Sequence, residues 1–278
     1  MRPMLSYFGG KRTIADWIIS NFPVDIHKLN YVEPCFGGGA IFFAKRPTRH
    51  EIISDLDDRL YNFYKVAQAE PVRLLKTLKR VICFEQEFQR ATRVMKGVEE
   101  ARDDLDRAVC VWIVISYGFT ASVDCKTLRV GIDGGRPSMG ASKRFLVRHH
   151  YPLLLDRIKN TTILNRPLMK MVDQFDRFNS FFYIDPPYPE VSQCYKHKFT
   201  PDDFKDLVER LKGLTGLFML SFYRMDWMEF PSDWVLKSRR TTSTIGGHHA
   251  IAKSGCGRTE WIAMNYKPNT PNLSLIHI

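Results

Sequence analysis

Lys28-Leu29-Asn30-Tyr31-Val32 runs into Glu33-Pro34-Cys35-Phe36-Gly37-Gly38-Gly39 and then into the apolar segment Ala40 to Ala44. This order predicts a strand, a glycine-rich turn and a helix. Glu51-Ile52-Ile53-Ser54-Asp55 reads as a second short strand ending in an acid, and Asp58 to Val66 sets Leu60, Phe63, Tyr64 and Val66 at helical spacing. Two such units in succession predict an alternating α/β domain with a mostly parallel sheet.

The glycines at 37–39 allow a ligand to approach backbone that a Cβ would block, although a tight strand-to-helix turn explains them equally well alone. Asp55 closes the next strand, where acids in dinucleotide-type folds accept from ribose hydroxyls; a solvated strand-end acid is the plainer reading. Together they point to an adenosine-containing ligand that needs no phosphate cradle. Gly9-Gly10-Lys11 is no phosphate loop, because Arg12 follows it and the upstream glycine of that motif is missing.

A second corner lies at Phe181-Phe182-Tyr183-Ile184-Asp185-Pro186-Pro187-Tyr188. A strand-like run ends in an acid, two prolines and an aromatic ring. Each proline lacks an N–H and holds the residue before it extended. The corner therefore offers the Asp185 carboxylate, the Pro186 carbonyl and the Tyr188 face, which suit a flat base bearing an amino group.

Residues 67 to 120 turn helical, ending in the apolar Ala108 to Val114. From 121 to 143, glycines at 131, 134, 135 and 140 interrupt short β-like pieces among Lys126, Arg129, Arg136, Lys143 and Arg144, which predicts a basic hairpin or loop insert. Alternation resumes with a strand over Thr161–Leu164, a helix over Met169–Phe175 and the strand Phe181–Ile184. Thr200-Pro201-Asp202-Asp203 is a helix start, with Thr at the N-cap, Pro at N1 and Asp at N3. Leu217–Phe222 and Trp261–Tyr266 read as late strands.

The chain of 278 residues has 41 Lys and Arg against 30 Asp and Glu, a formal charge of +11. That excess favours a polyanionic partner, nucleic acid before an anionic membrane. No apolar run reaches membrane-spanning length and the N-terminus lacks a secretory core. The six cysteines form no C-x-x-C pair, which argues for free thiols in a reducing compartment. His149-His150 and His248-His249 have no acid or cysteine at ligand spacing, so no metal is expected.

Tyr7-Phe8-Gly9-Gly10-Lys11, Glu33 to Gly39, Ser54-Asp55, Asp185-Pro186-Pro187-Tyr188, Phe199-Thr200 and Arg258-Thr259-Glu260-Trp261 through Asn265-Tyr266 occur in one order. In that order the chain resembles the Dam-like family of N6-adenine-specific DNA methyltransferases over roughly residues 5 to 266. The resemblance implies a Rossmann-like, S-adenosylmethionine-dependent methyltransferase sheet. Residues 1–66 and 151–268 would form the catalytic domain, and an inserted, mainly helical target-recognition domain with a hairpin-like loop would span 67–150. It implies S-adenosyl-L-methionine as cofactor, held by Tyr7, Gly9, Gly10, Lys11, Glu33, Phe36, Gly37, Asp55 and Asp185, with Lys11 near the methionine carboxylate. Asp185, Pro186, Pro187 and Tyr188 would be catalytic, acting on an adenine flipped out of double-stranded DNA. Lys126, Arg129, Arg136, Lys196 and Lys198 are the candidate DNA contacts. A cytoplasmic, DNA-associated enzyme follows, with or without a restriction partner.

The sequence departs from the family at Cys35, usually phenylalanine, at Tyr7, tryptophan in some members, and at Arg166-Pro167, where an acid near the cofactor's adenine is expected. Pro34-Cys35 also invites comparison with a cytosine-C5 nucleophile, but a small buried hydrophobe explains Cys35 better. Methylation of another planar amine (cytosine N4, RNA or a protein glutamine) and a silent DNA-binding homologue are the alternative readings. Asp at 185 favours adenine, since Ser or Asn is commoner there in those relatives. Residues 269–278 are set apart as a tail, of which 273–278 read as a translated sequencing-adapter end.

Overall fold

The computed structural model describes residues 1–7, 9–82, 84–120, 122–129, 139–189, 196–241 and 258–268. Arg136, Tyr195, His248-His249, most of the glycine-rich insert and the tail lie outside them. The chain divides into two compact units, the first formed by residues 1–10, 37–44 and 57–165, the second by 11–36, 45–56 and 166–278.

The second unit carries helix α1 (Ala15–Ser20) and strands β1 (Asn30–Glu33) and β2 (His50–Ser54). The first unit supplies α2 (Ala40–Ala44), α3 (Asp58–Ala69), α4 (Pro71–Leu78), α5 (Glu85–Met95), α6 (Asp104–Tyr117), α7 (Met139–His149), α8 (Tyr151–Ile158) and β3 (Thr162–Leu164). The second unit resumes with α9 (Leu168–Phe175), β4 (Ser180–Ile184), α10 (Pro201–Lys212), β5 (Leu217–Phe222), β6 (Val235–Thr241) and β7 (Arg258–Met264).

Within the second unit the sheet runs β2-β1-β4-β5-β7-β6. The pairs β1–β2, β1–β4 and β4–β5 are parallel, while β7 runs antiparallel to both β5 and β6. Register places Tyr31, Phe181, Tyr183 and Ser221 on one face, where Phe22 after α1 meets Phe181 with rings 4.8 Å apart. Phe182, Ile184, Phe218 and Phe222 take the other face, where Phe204 of α10 stands edge-on to Phe222 at 6.1 Å. Both faces are thus covered, which is why β4 and β5 are apolar at all but one position each, Ser180 and Ser221, instead of alternating. The predicted capping box at Thr200 is present: Thr200 accepts from the Asp203 amide and Asp203 from the Thr200 amide.

In the first unit α6 is the buried axis, packed between α3 and α5. Its Trp112 indole donates to the Tyr151 hydroxyl at 2.7 Å, and that hydroxyl donates to the Met4 carbonyl at 2.5 Å. Arg59 of α3 is also buried. It grips Asp57 at 2.7 Å, the residue whose side chain caps its own helix, and Asp124 at 2.6 Å.

The predicted hairpin-like insert is corrected in part. Residues 122–129 form a loop closed by the bridge Gly118 to Leu128, but Lys143 and Arg144 lie on helix α7. Lys143, Arg144, Leu146 and Arg148 are good helix formers, and Val147 is buried. The last predicted strand is also shifted. β7 ends at Met264, and Asn265 turns its side chain onto the Phe218 amide and the Gly216 carbonyl, 2.9 Å from each.

Candidate active site

Parallel strands bring their carboxyl ends to one edge of a sheet, and ligands of doubly wound sheets bind where the strand order reverses. Here the chain passes from β1 to β2 on one side, then returns to β4 on the other side of β1. Glu33 ends β1, Asp55 follows β2 and Asp185 follows β4. Sequence reasoning selected all three acids, and they stand at the mouths of three adjacent strands.

Asp185 is 18% exposed and ion-paired to Lys11, whose Nζ lies 2.8 Å from each carboxylate oxygen. The Tyr188 hydroxyl is 3.2 Å from Asp185 Oδ1 and donates to Glu260 Oε1 in a short hydrogen bond. Lys11 Nζ also sits 3.6 Å from Glu260 and 4.9 Å from the Tyr188 ring centre. Burial raises the Asp185 pKa above the ordinary carboxylate value, against the lowering effect of Lys11 and Tyr188. Tyr188 itself is buried, its ring 4.4 Å from that of Tyr223. Lys11 therefore serves Asp185 here, a pairing that a separation of 174 positions kept out of the sequence reading.

Glu33 accepts from the Tyr31 hydroxyl at 2.6 Å. The Tyr31 ring in turn lies 4.0 Å beneath Lys45 Nζ, and Lys45 is paired with the buried Glu51. Burial outweighs these favourable partners and pushes the Glu33 pKa up to about 8. Cys35 is half-buried, and burial, reinforced by Asp55, Asp185 and Glu33, holds its thiol well above the ordinary value. Such a thiol stays protonated, the opposite of what a cytosine-type nucleophile requires. Arg166 gives its backbone to the site: its amide and carbonyl both bond Ser54 Oγ at 3.0 Å.

In the first unit the glycine turn packs on its own chain start. Gly37 adopts a left-handed φ of +51°, and a Cβ on Gly38 would stand 2.6 Å from the Leu5 carbonyl oxygen. Gly9 is also left-handed, with φ 73°. Gly38 is thus required for packing, the plainer reading of this turn, while Gly37 also presents its carbonyl to the Tyr64 hydroxyl at 3.1 Å.

Among the candidate DNA contacts, Lys126, Arg129, Lys196 and Lys198 are exposed. Among the described residues no cluster of acids, cysteines and histidines could hold a metal ion, and no helix is long and apolar enough to cross a membrane. Sequence reasoning quoted Glu260 in a motif without giving it a role. Its one signal was a lone acid opening the apolar run Trp261-Ile262-Ala263-Met264.

A sheet of this order, with carboxylates at its switch point and an Asp-Pro-Pro-Tyr corner closing β4, defines a Rossmann-like α/β protein. Residues 7–115 match the family model for D12 class N6 adenine-specific DNA methyltransferases. The chain is 26% identical over 230 residues to a type II methyltransferase, M.MjaIII, of Methanocaldococcus jannaschii, covering 74% of this chain and 76% of that protein. It is 24% identical over 251 residues to the type II methyltransferase M1.LlaDCHI of Lactococcus lactis subsp. cremoris, covering 79% and 80%. A DNA adenine methylase of Vibrio cholerae is 22% identical over 232 residues, with the same coverage of 79% and 80%. Among solved structures, the rRNA methyltransferase aviRa from Streptomyces viridochromogenes matches with a TM-score of 0.41 and 10% identity over 95% of this chain and 87% of that one. The match to the D12 class of N6 adenine-specific DNA methyltransferases thus covers residues 7–115, and the similarity to these methyltransferases extends over about three quarters of the chain.

Proposed function

We propose that the chain transfers the methyl group of S-adenosyl-L-methionine to the exocyclic N6 amine of an adenine flipped out of duplex DNA. The observation that carries this reading is the Asp185-Pro186-Pro187-Tyr188 corner at the carboxyl end of β4, beside Glu33 and Asp55. The donor set fits the cofactor. Carboxylates at neighbouring strand ends suit its amino group and ribose hydroxyls, and Lys11 is close to Asp185. The family resemblance adds Tyr7, Gly9, Gly10, Phe36 and Gly37 to the proposed cofactor residues. When bound, the sulfonium supplies an electrophilic methyl group.

The adenine amine is a weak nucleophile because its lone pair is delocalised into the ring. Asp185 and the Pro186 carbonyl accept its two hydrogens, which draws the nitrogen toward a tetrahedral shape and aims the lone pair. Direct in-line displacement then depends on positioning and on acceptors for the positive charge that develops on nitrogen. Tyr188 is proposed to support the flipped base. Residues 67–150 are proposed to recognise the target, with Lys126 and Arg129, joined by Lys196 and Lys198, contacting phosphate. Incubation with methyl-labelled cofactor and duplex DNA, followed by nucleoside analysis, is expected to place the label in N6-methyladenine. Label in N4-methylcytosine, or in RNA or protein alone, refutes the reading.

Glu33 ties cofactor binding to pH. With its pKa at about 8, its carboxyl is protonated at neutral pH in the ligand-free protein. A bound cation favours the carboxylate, so binding drives the proton off. Affinity is therefore expected to strengthen as pH rises toward about 8, by up to about tenfold per pH unit, and to level off above it. The same raised pKa means the ligand-free fold loses stability as pH climbs from the unfolded value of 4.5 toward about 8. Calorimetry in buffers of differing ionisation enthalpy checks the proton release. Affinity independent of pH would contradict it.

A further inference from the structure

β7 runs antiparallel to β5, so its first residues lie beside the carboxyl ends of the parallel strands. Register puts Ile262 opposite Ser221, and alternation then sets Glu260 on the same sheet face as Tyr183 and Tyr31, one step beyond the end of β5. Glu260 is 3% exposed. Burying a charge is costly unless other groups compensate it, so a carboxylate so placed calls for partners.

Lys11 and Asp185 form a close pair of opposite charges, formally neutral. A neutral pair offers little to a positive charge developing on an amine nitrogen. Glu260, 3.6 Å from the same ammonium and joined to Asp185 through the Tyr188 hydroxyl, makes the buried group one lysine against two carboxylates. We propose that Glu260 is a positioning residue that supplies the surplus negative charge of the transfer site, a second carboxylate 3.6 Å from Lys11 that holds the ammonium when Asp185 engages the amine. This rests on the methyl-transfer reading given above.

The electrostatics balance through one turnover. The N–CH3 bond forms as the S–CH3 bond breaks, the sulfonium becomes a neutral thioether, and the nitrogen becomes cationic. One N–H proton then passes to the Asp185 carboxylate. A site of net charge −1 becomes neutral on receiving it, whereas a Lys11–Asp185 pair alone would be left with an unmatched buried cation. Glu260 matches that cation after transfer. The groups facing Glu260 are Lys11, Asp185, Tyr188 and Tyr183, while its cross-strand partner Arg239 is exposed. Burial raises the Glu260 pKa, which Lys11 lowers and Asp185 raises.

Glu260→Gln keeps the shape and an oxygen for Tyr188 but removes the charge. In ligand-free protein with carboxyl-labelled aspartate, nuclear magnetic resonance is expected to show Asp185 titrating at lower pH in the variant, because it gains Lys11 for itself and loses a like charge. Single-turnover transfer at saturating cofactor and DNA is expected to fall at least about tenfold, with KM values unchanged and the acidic limb of the pH profile moved to lower pH. A packing defect would not lower the plateau and shift the limb downward together. An Asp185 titration or a rate profile that superimposes on wild type overturns the proposal. Should Glu260→Gln not fold, Glu260→Asp decides: it retains the charge, so transfer within about threefold of wild type supports the role, and a loss as deep as that of Asp185→Asn overturns it. Wild-type protein that puts no methyl on adenine refutes the proposed function itself, while the Asp185 titration still tests the charge of Glu260.

Discussion

Asp185→Asn is expected to lower single-turnover methyl transfer by about 10³-fold, the scale seen when a preorganised group facing transition-state charge is removed. The substitution preserves shape but turns a carboxylate into an amide with one acceptor and a donor group. That donor faces Lys11, which lies 2.8 Å from the native carboxylate. The fold is expected to survive, because Lys11 keeps Glu260 at 3.6 Å as its partner. Cofactor affinity should change far less than the rate, since Glu33 and Asp55 remain at their strand ends. Rapid-quench measurement of labelled methyl transfer, beside equilibrium binding of the cofactor, checks both halves. Undiminished transfer in this variant rules out Asp185 as acceptor.

Lys11→Met is expected to be nearly as damaging at neutral pH, for a different reason. Asp185 and Glu260 both have pKa values raised by burial, and Lys11 is the cation that opposes the rise at each. Loss of an adjacent opposite charge lifts a carboxylate pKa by about 1–3 pH units. In the proposed transfer Asp185 takes the amine proton as a carboxylate, so the acidic limb of the rate profile should move up by that interval. At a fixed pH on the limb this is a loss of about 10- to 10³-fold, recovered on raising the pH. A depressed rate that no alkaline pH restores would show that Lys11 acts by another route. The direction is opposite to that expected for Glu260→Gln, so the two variants together separate the cation's part from the anion's.

Much of the fold could be read from the sequence because its strands are buried on both faces. Phe181-Phe182-Tyr183-Ile184 and Leu217 to Phe222 are apolar but for Ser221, and the glycine turn and capping box mark where helices begin. β6 escaped notice because Val235-Leu236-Lys237-Ser238-Arg239-Arg240-Thr241 carries little apolar pattern. It is an edge strand, held by its register with β7 rather than by a core face of its own. α7 was hidden by the glycines at 131, 134 and 135 before it and by Gly140 within it. In the site, acids at strand ends were legible because position along a strand is a local property. The Lys11–Asp185 and Tyr188–Glu260 contacts were not, since 174 and 72 residues separate the partners and only the sheet brings them together. The burial that pushes Glu33 to about 8 is likewise a property of packing around Tyr31 and Lys45, to which residue identity gives no clue.

The loop over residues 122–129 is held by residues other than its proposed DNA contacts. Arg59 clasps Asp124 from a buried position, and the buried Cys125 takes the Thr120 amide at 3.3 Å and lies 3.4 Å from the Thr127 carbonyl. Lys126 and Arg129 stand exposed on that anchored frame. Side chains at 126 and 129 can be exchanged without disturbing Arg59, Asp124 or Cys125, so the proposed phosphate contacts can be removed while the loop keeps its place. That separation makes the two positions a clean test of how far binding depends on salt, with Arg59 left alone.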